Sequence, residues 1–272
     1  MKKMIGIEAL LTWAFVEELP KVESGSVGPS AAPSVWQMMF DVITLGTNID
    51  KSPNGYGVVG NFVNIGEPHP DALIVGNAVR ALADRNGYEI MSGWWPFPEW
   101  DDPHGVIRAE VDRIAAEQVY ERGGRLNGRH IVTLVTSAAI LKRGPDWTAE
   151  QPKVVTVKNG GKDAWFIKRY AKDAFGGTIE YEDNGFHVKR QRPMRGAYRK
   201  YRLADPIRSA VIARLEWQLW QSALEALHDS LSGAMAAHDL LPFSPNRQPW
   251  APSRRSAPNA QATENATETA VR

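Results

Sequence analysis

The chain has 272 residues, 43% of them hydrophobic and 23% charged, with no cysteine and a formal net charge of +1. Such a composition suits a globular chain of one large or two small domains, and it excludes disulfide frameworks, thiolate metal centres and cysteine nucleophiles. The charge is unevenly spread: residues 1–150 carry 13 Lys and Arg against 19 Asp and Glu, net −6, whereas residues 151–272 carry 19 against 12, net +7. That polarity points to a polyanion facing the second half.

Met1-Lys2-Lys3 precedes a mostly apolar run, as in a signal peptide, but Glu8 interrupts it, Glu17 and Glu18 follow it, and no small-x-small cleavage site is present. The run therefore reads as an amphipathic helix with Ile7, Leu10, Leu11, Ala14 and Phe15 on one face, ended by Pro20. No apolar stretch reaches the roughly 20 residues of a membrane-spanning helix. Together with the absence of cysteine, this gives the expectation of a cytoplasmic protein, neither secreted nor embedded in a membrane.

Residues 22–34 read as a loop, 36–45 as a short apolar helix or strand, and 47–61 as a second loop. Glycines at 55, 57, 60 and 66 mark turns around a short strand. The next helix is predicted over 70–83, with Ala72, Leu73, Val75, Ala78, Val79, Leu82 and Ala83 forming its stripe and Asn86-Gly87 its stop. Residues 94–100 concentrate Trp94, Trp95, Phe97 and Trp100 with two prolines, Pro96 and Pro98; these rings either grip a ligand or, the weightier reading, plug the core. A helix follows, capped by Asp102, tolerant of Pro103 at its start and closed by Gly123-Gly124, with Ile107, Val111, Ile114 and Ala115 on one side. Residues 130–141 form another, although their β-branched opening leaves a strand open. The pair is compatible with a helix-turn-helix, except that the 123–128 joint is longer and richer in glycine than that motif uses.

From residue 152 the pattern becomes β. Residues 153–158 and 164–170 are predicted to pair around Asn159-Gly160-Gly161, and 178–182 and 186–190 around Asp183-Asn184-Gly185, with a short helix at 171–175 between the hairpins. Residues 204–241 form the longest helix. Ala210, Ala213, Trp217, Trp220, Leu224, Leu227 and Leu231 recur as a heptad seam that predicts a homodimer contact, while Ile212, Leu215 and Leu219 widen the face in favour of docking on the chain's own core. The Pro- and Ala-rich segment 242–272 is expected to be disordered. The fold class is thus α+β, in four parts: a mainly helical region (1–150), a β-hairpin subdomain with a basic arm (151–203), a long packing or dimerisation helix (204–241) and a tail (242–272).

Chemistry is sparse. His69-Pro70-Asp71 and Asp101-Asp102-Pro103-His104 set carboxylates beside imidazoles, and an enzymatic site would need His69, Asp71 and His104 to converge. No two histidines lie one helical turn apart, and there is no nucleophile elbow, Walker loop or dinucleotide fingerprint. His228-Asp229 and His238-Asp239 read as solvated pairs. No catalytic residue, cofactor or metal is therefore predicted. The segment 186–202 stands out instead: Lys189, Arg190, Arg192, Arg195, Arg199, Lys200 and Arg202 occur with no acid among them, and Phe186, Tyr198 and Tyr201 are interleaved. Cations neutralise phosphates and release counterions, while aromatics stack on bases or anchor the segment. Pro193 and Gly196 make it a connector able to track a backbone.

Leu11-Thr12-Trp13-Ala14-Phe15 with Glu18-Leu19-Pro20-Lys21, Gly196-Ala197-Tyr198-Arg199-Lys200, and His238-Asp239-Leu240-Leu241-Pro242 resemble a family of uncharacterised proteins encoded in prophage-like regions of alphaproteobacteria. The resemblance implies a phage-related setting and carries no activity or site residues. The expectation is a non-enzymatic, prophage-type DNA-binding protein, with Lys189, Arg190, Arg192, Arg195, Arg199, Lys200 and Arg202 on phosphates and Tyr198 and Tyr201 as stacking or anchoring groups. The alternatives are an interaction or virion-assembly protein whose arm meets an acidic protein surface, and a hydrolase with a His/Asp site.

Overall fold

The computed structural model describes residues 2–22, 56, 58, 61–84, 88–120, 124–172, 175 and 177–251. The first element is a strand, β1 (Lys3–Ile5), and it runs into helix α1 (Ile7–Thr12). The expected apolar face is realised, with Ile7, Leu10, Leu11, Ala14 and Phe15 all buried. At Trp13–Glu18 the helix widens by one residue per turn, Leu19 N–H donating to Ala14 at 2.8 Å. This bulge turns Trp13 and Glu18 toward the start of the next helix. Strand β2 (Lys21–Val22) pairs in parallel with β3 (Asn61–Ile65). The expected elements at 22–34 and 36–45 lie almost entirely outside the described residues, as does most of the 47–61 loop.

Helix α2 (Pro70–Ala81) buries Ala72, Val75 and Val79 and ends in a tight turn at Leu82–Asp84. Helix α3 (Val106–Tyr120) starts later than its sequence suggests: Asp102 accepts from Arg108 N–H at 2.8 Å, so Pro103 sits in the turn before the helix. Helix α4 (Gly128–Leu141) is capped by Asn127, and its β-branched opening is helical because Ile131 and Val135 fall on the buried stripe. Residues 94–100 plug the core as expected: Phe97 is fully buried and stacks on Trp100 with centroids 3.7 Å apart.

In the β-subdomain the strands exist but the pairing differs. Val154–Thr156 (β4) is antiparallel to Tyr201–Leu203 (β11), the end of the basic segment, and not to residues 164–170. Gly160 and Gly161, at φ 58° and 81°, allow a two-residue turn that closes a small hairpin of β5 (Lys158–Asn159) and β6 (Lys162–Asp163). Residues 166–172 (β7) are thereby released to pair with Thr178–Asn184 (β8) over seven rungs, and Ala171 and Lys172 are strand where a helix is expected. Asn184-Gly185 is accordingly no hairpin turn. Gly185 N–H donates to Trp165 at 2.8 Å, and a Cβ there would lie 2.8 Å from the Phe166 backbone, so glycine is what lets the chain cross the ribbon. Beyond it β9 (Phe186–His187) pairs with β10 (Arg192–Pro193).

Helix α5 (Arg208–Leu231), 24 residues long, joins two hydrophobic cores. Its first turns, through Val211 and Ile212, pack with Phe97, Trp100, Ile107, Val111 and Ile114 of the α3 side. Further along, Leu215, Leu219, Trp220, Leu224, Leu227 and Leu231 enter the core built by α1, α2 and α4. Most of the predicted dimer seam is therefore spent internally, each buried Leu contributing about 1.5–3 kcal/mol; Ala210, Ala213 and Trp217 remain part-exposed. Because α3 and α4 serve different cores, they do not form a helix-turn-helix unit. Strand β12 (His238–Leu240) then returns parallel to β1. Residues 242–251 are ordered against the body, contrary to the expected tail: Trp250 is buried and Asn246 N–H donates to Gln221 at 2.9 Å.

Candidate functional site

The seven cations of 186–202 fall into two groups. Arg199 lies 3.2 Å from Asp163 with its guanidinium 4.7 Å from the Trp165 ring centroid, and Lys200 pairs with Glu182 while resting 4.9 Å over Phe166. Tyr198 donates its hydroxyl to the same Glu182, which holds the phenol pKa above its ordinary value. Hydrogen bonds from Lys200 and Tyr198 in turn lower the Glu182 pKa. Tyr201 is stacked on His104 at 3.6 Å, and Arg202, exposed and without an ion pair among the described residues, donates to the carbonyl of its neighbour Leu203 at 3.4 Å. The 198–202 stretch is thus strand and strand-edge structure, and the free connector expected from sequence is confined to what precedes it.

Lys189, Arg190, Arg192 and Arg195 form the other group. All four are exposed, and among the described residues none makes an ion pair or a side-chain hydrogen bond. Their backbone is nevertheless held. The turn Val188–Arg190 is closed by Gln191 in the left-handed region, φ 49°, whose side chain donates to Val188 at 2.7 Å. Met194 N–H donates to Gly185 at 2.8 Å, and Ala197 N–H donates to Met194 at 3.0 Å. Four positive side chains are consequently displayed on a turn fixed at both ends. Among the described residues, the acids that answer this segment, Asp163 and Glu182, come from the β-subdomain itself.

The histidines converge differently from the sequence expectation. His104 is committed to Tyr201, whereas His69 and Asp71 meet His238, which is buried. The fully buried Asp71 carboxylate accepts from the backbone N–H of Ala236, Ala237 and His238 at 2.9, 2.9 and 3.0 Å, and from His238 Nδ1–H at 2.9 Å. Burial by itself raises the Asp71 pKa, but the His238 ring and the three N–H donors outweigh it and hold the group at about 2. Trp13 lies 4.5 Å from the His238 ring and 5.4 Å from His69.

Donor atoms of His69, Asp71 and His238 lie within 4.8 Å of one another, so this is where the described residues could hold a metal ion. The hydrogen bonds fit that role poorly. His69 Nδ1 accepts from Asp71 N–H at 3.0 Å, which places the proton of the neutral ring on Nε2 and removes its lone pair. Asp71 is already bonded to four donors. Three of those donors fall on Oδ2 and one on Oδ1, and His238 belongs to a carboxylate-backed imidazole to which no hydroxyl is hydrogen-bonded among the described residues. What the cluster performs is fastening: it ties β12 to the start of α2, 167 residues away in sequence. Nothing local in the sequence signals that pairing.

Arg214 is a second buried charge that sequence reading passed over. It is 2% exposed, donates to Pro96 at 2.6 Å, pairs with Glu99, and lies 4.5 and 4.6 Å from the Phe97 and Trp250 ring centroids. Its signal was present, because it falls three residues after Val211 and one before Leu215 on the apolar face of α5. No family model, curated protein or solved structure matches the chain.

Proposed function

We propose that this is a non-enzymatic DNA-binding protein, of the prophage-type setting that the sequence resemblance implies, which holds phosphates on Lys189, Arg190, Arg192 and Arg195. One observation carries the reading: these four exposed cations have no partner among the described residues and stand on a backbone-fixed turn, while Arg199 and Lys200 beside them are neutralised within the subdomain. The fixed backbone of the turn removes part of the ordering cost of binding, and each phosphate the cations neutralise releases counterions.

The test is a fluorescence-anisotropy titration of labelled DNA at several salt concentrations. Four phosphate contacts predict a fall of log K with log salt of slope about −3 to −4. Alanine at all four positions should remove most of that slope. The reading fails if DNA is not bound at low salt, or if the four-alanine variant binds as the wild type does.

A further inference from the structure

We infer that the DNA taken by this surface is single-stranded, with a base stacked on Tyr181 of the β7/β8 ribbon beside the arm. The inference rests on the DNA-binding reading and adds the strand state. The ribbon register sets Arg169 opposite Tyr181, Ala171 opposite Ile179 and Ile167 opposite Asp183. Directly opposed residues share a face, so Ile179, Tyr181 and Ala171 form an apolar strip on one side of the ribbon. Ile179 is 52% and Tyr181 45% exposed, and Tyr181 makes no side-chain hydrogen bond among the described residues. Tyr170, on the opposite face, differs in that its hydroxyl is bonded to Glu180.

Charge complementarity decides what fits here. The Arg169–Asp183 pair at 2.9 Å neutralises the strip's own face, so phosphates are not drawn to the ribbon. They are drawn to the four unpaired cations at its base. Tyr181 lies three residues from Asn184, about 10 Å at the usual rise of a strand, and the next residue, Gly185, accepts from Met194 N–H of the arm at 2.8 Å. An open recess of about 420 Å³ lined by Ile167, Lys168, Arg195, Gly196 and Tyr198 lies between arm and ribbon, and of its lining Ile167 belongs to the face of Tyr181. A backbone on the arm can therefore lay a base along the strip. In a duplex the base faces are covered by their neighbours; in a single strand they are open, and stacking on one aromatic ring contributes about 1–3 kcal/mol.

The experiment compares a labelled oligothymidylate with a labelled duplex of equal length, using the full chain. The single strand should bind at least about tenfold more tightly. Tyr181→Ala should weaken single-strand binding by about 5- to 150-fold, the factor equivalent to 1–3 kcal/mol, without changing the salt slope. Tyr181→Phe, which keeps the ring, should restore it. If the duplex binds as well as the single strand, or if Tyr181→Ala leaves single-strand affinity intact while alanine at Lys189, Arg190, Arg192 and Arg195 abolishes it, the inference is overturned and the DNA-binding reading stands. If neither nucleic acid binds even at low salt, both fail.

Discussion

The helical body and the β-subdomain use the same charged residue types for opposite ends. In the body, Arg214 and Asp71 are buried and fully partnered, Arg214 by Glu99, a carbonyl and flanking rings, Asp71 by three backbone N–H groups and His238. In the subdomain, Lys189, Arg190, Arg192 and Arg195 stand in solvent with no partner among the described residues. A charge that is desolvated and bonded is spent on the fold; a charge that is exposed on a fixed backbone is available to a ligand. The basic character of the second half is therefore a poor guide by itself, since Arg214 belongs to the same half and faces the core.

Breaking the body's charges should have the largest effect. Arg214→Leu removes the charge that answers Glu99 and the contact to Phe97 and Trp250, and should cost about 3–5 kcal/mol in urea denaturation. Arg214→Lys keeps the charge but not the guanidinium plane, and should fall between this variant and wild type. Asp71→Ala leaves three backbone donors and the His238 ring unanswered and should cost about 3 kcal/mol. Because the folded-state pKa of Asp71 is about 2 against 3.8 for the free group, its contribution is complete above about pH 4–5. It is lost as the pH falls through about 2, roughly 2 kcal/mol in all, so urea midpoints of wild type should drop in acid more steeply than those of Asp71→Asn.

Smaller effects sharpen the same contrast. Gly128→Ala would place a Cβ 2.4 Å from the Leu82 carbonyl and 2.6 Å from that of Ala83, forcing α4 away from the turn after α2; about 1–3 kcal/mol is expected by thermal unfolding. The four arm cations, changed together to alanine, should alter stability by less than about 0.5 kcal/mol, because they touch nothing the fold depends on.

Periodicity made the helices legible: the faces of α1, α2, α3 and α4 are buried largely as their apolar spacing predicts. Strand pairing was not legible, because the Asp183-Asn184-Gly185 signal is local while the competing partner of β8 is the seven-residue β7, reachable once Gly160-Gly161 has closed its own turn. Residues 242–251 belong to the proline-rich segment expected to be disordered, yet Trp250 finds the guanidinium of Arg214. Of the arm, the cations were visible in sequence but their division was not. It depends on Asp163 and Glu182, which come from β6 and β8 and meet Arg199 and Lys200 through pairings that are not local.

That division is most directly tested by comparing two variants in one anisotropy titration against salt. Alanine at Lys189, Arg190, Arg192 and Arg195 should abolish most DNA affinity and flatten the salt slope, while alanine at Arg199 and Lys200 should leave the slope within about one unit of wild type. Equal losses from the two variants, or a larger loss from the Arg199 and Lys200 pair, would contradict the assignment of the unpaired cations as the phosphate-binding group.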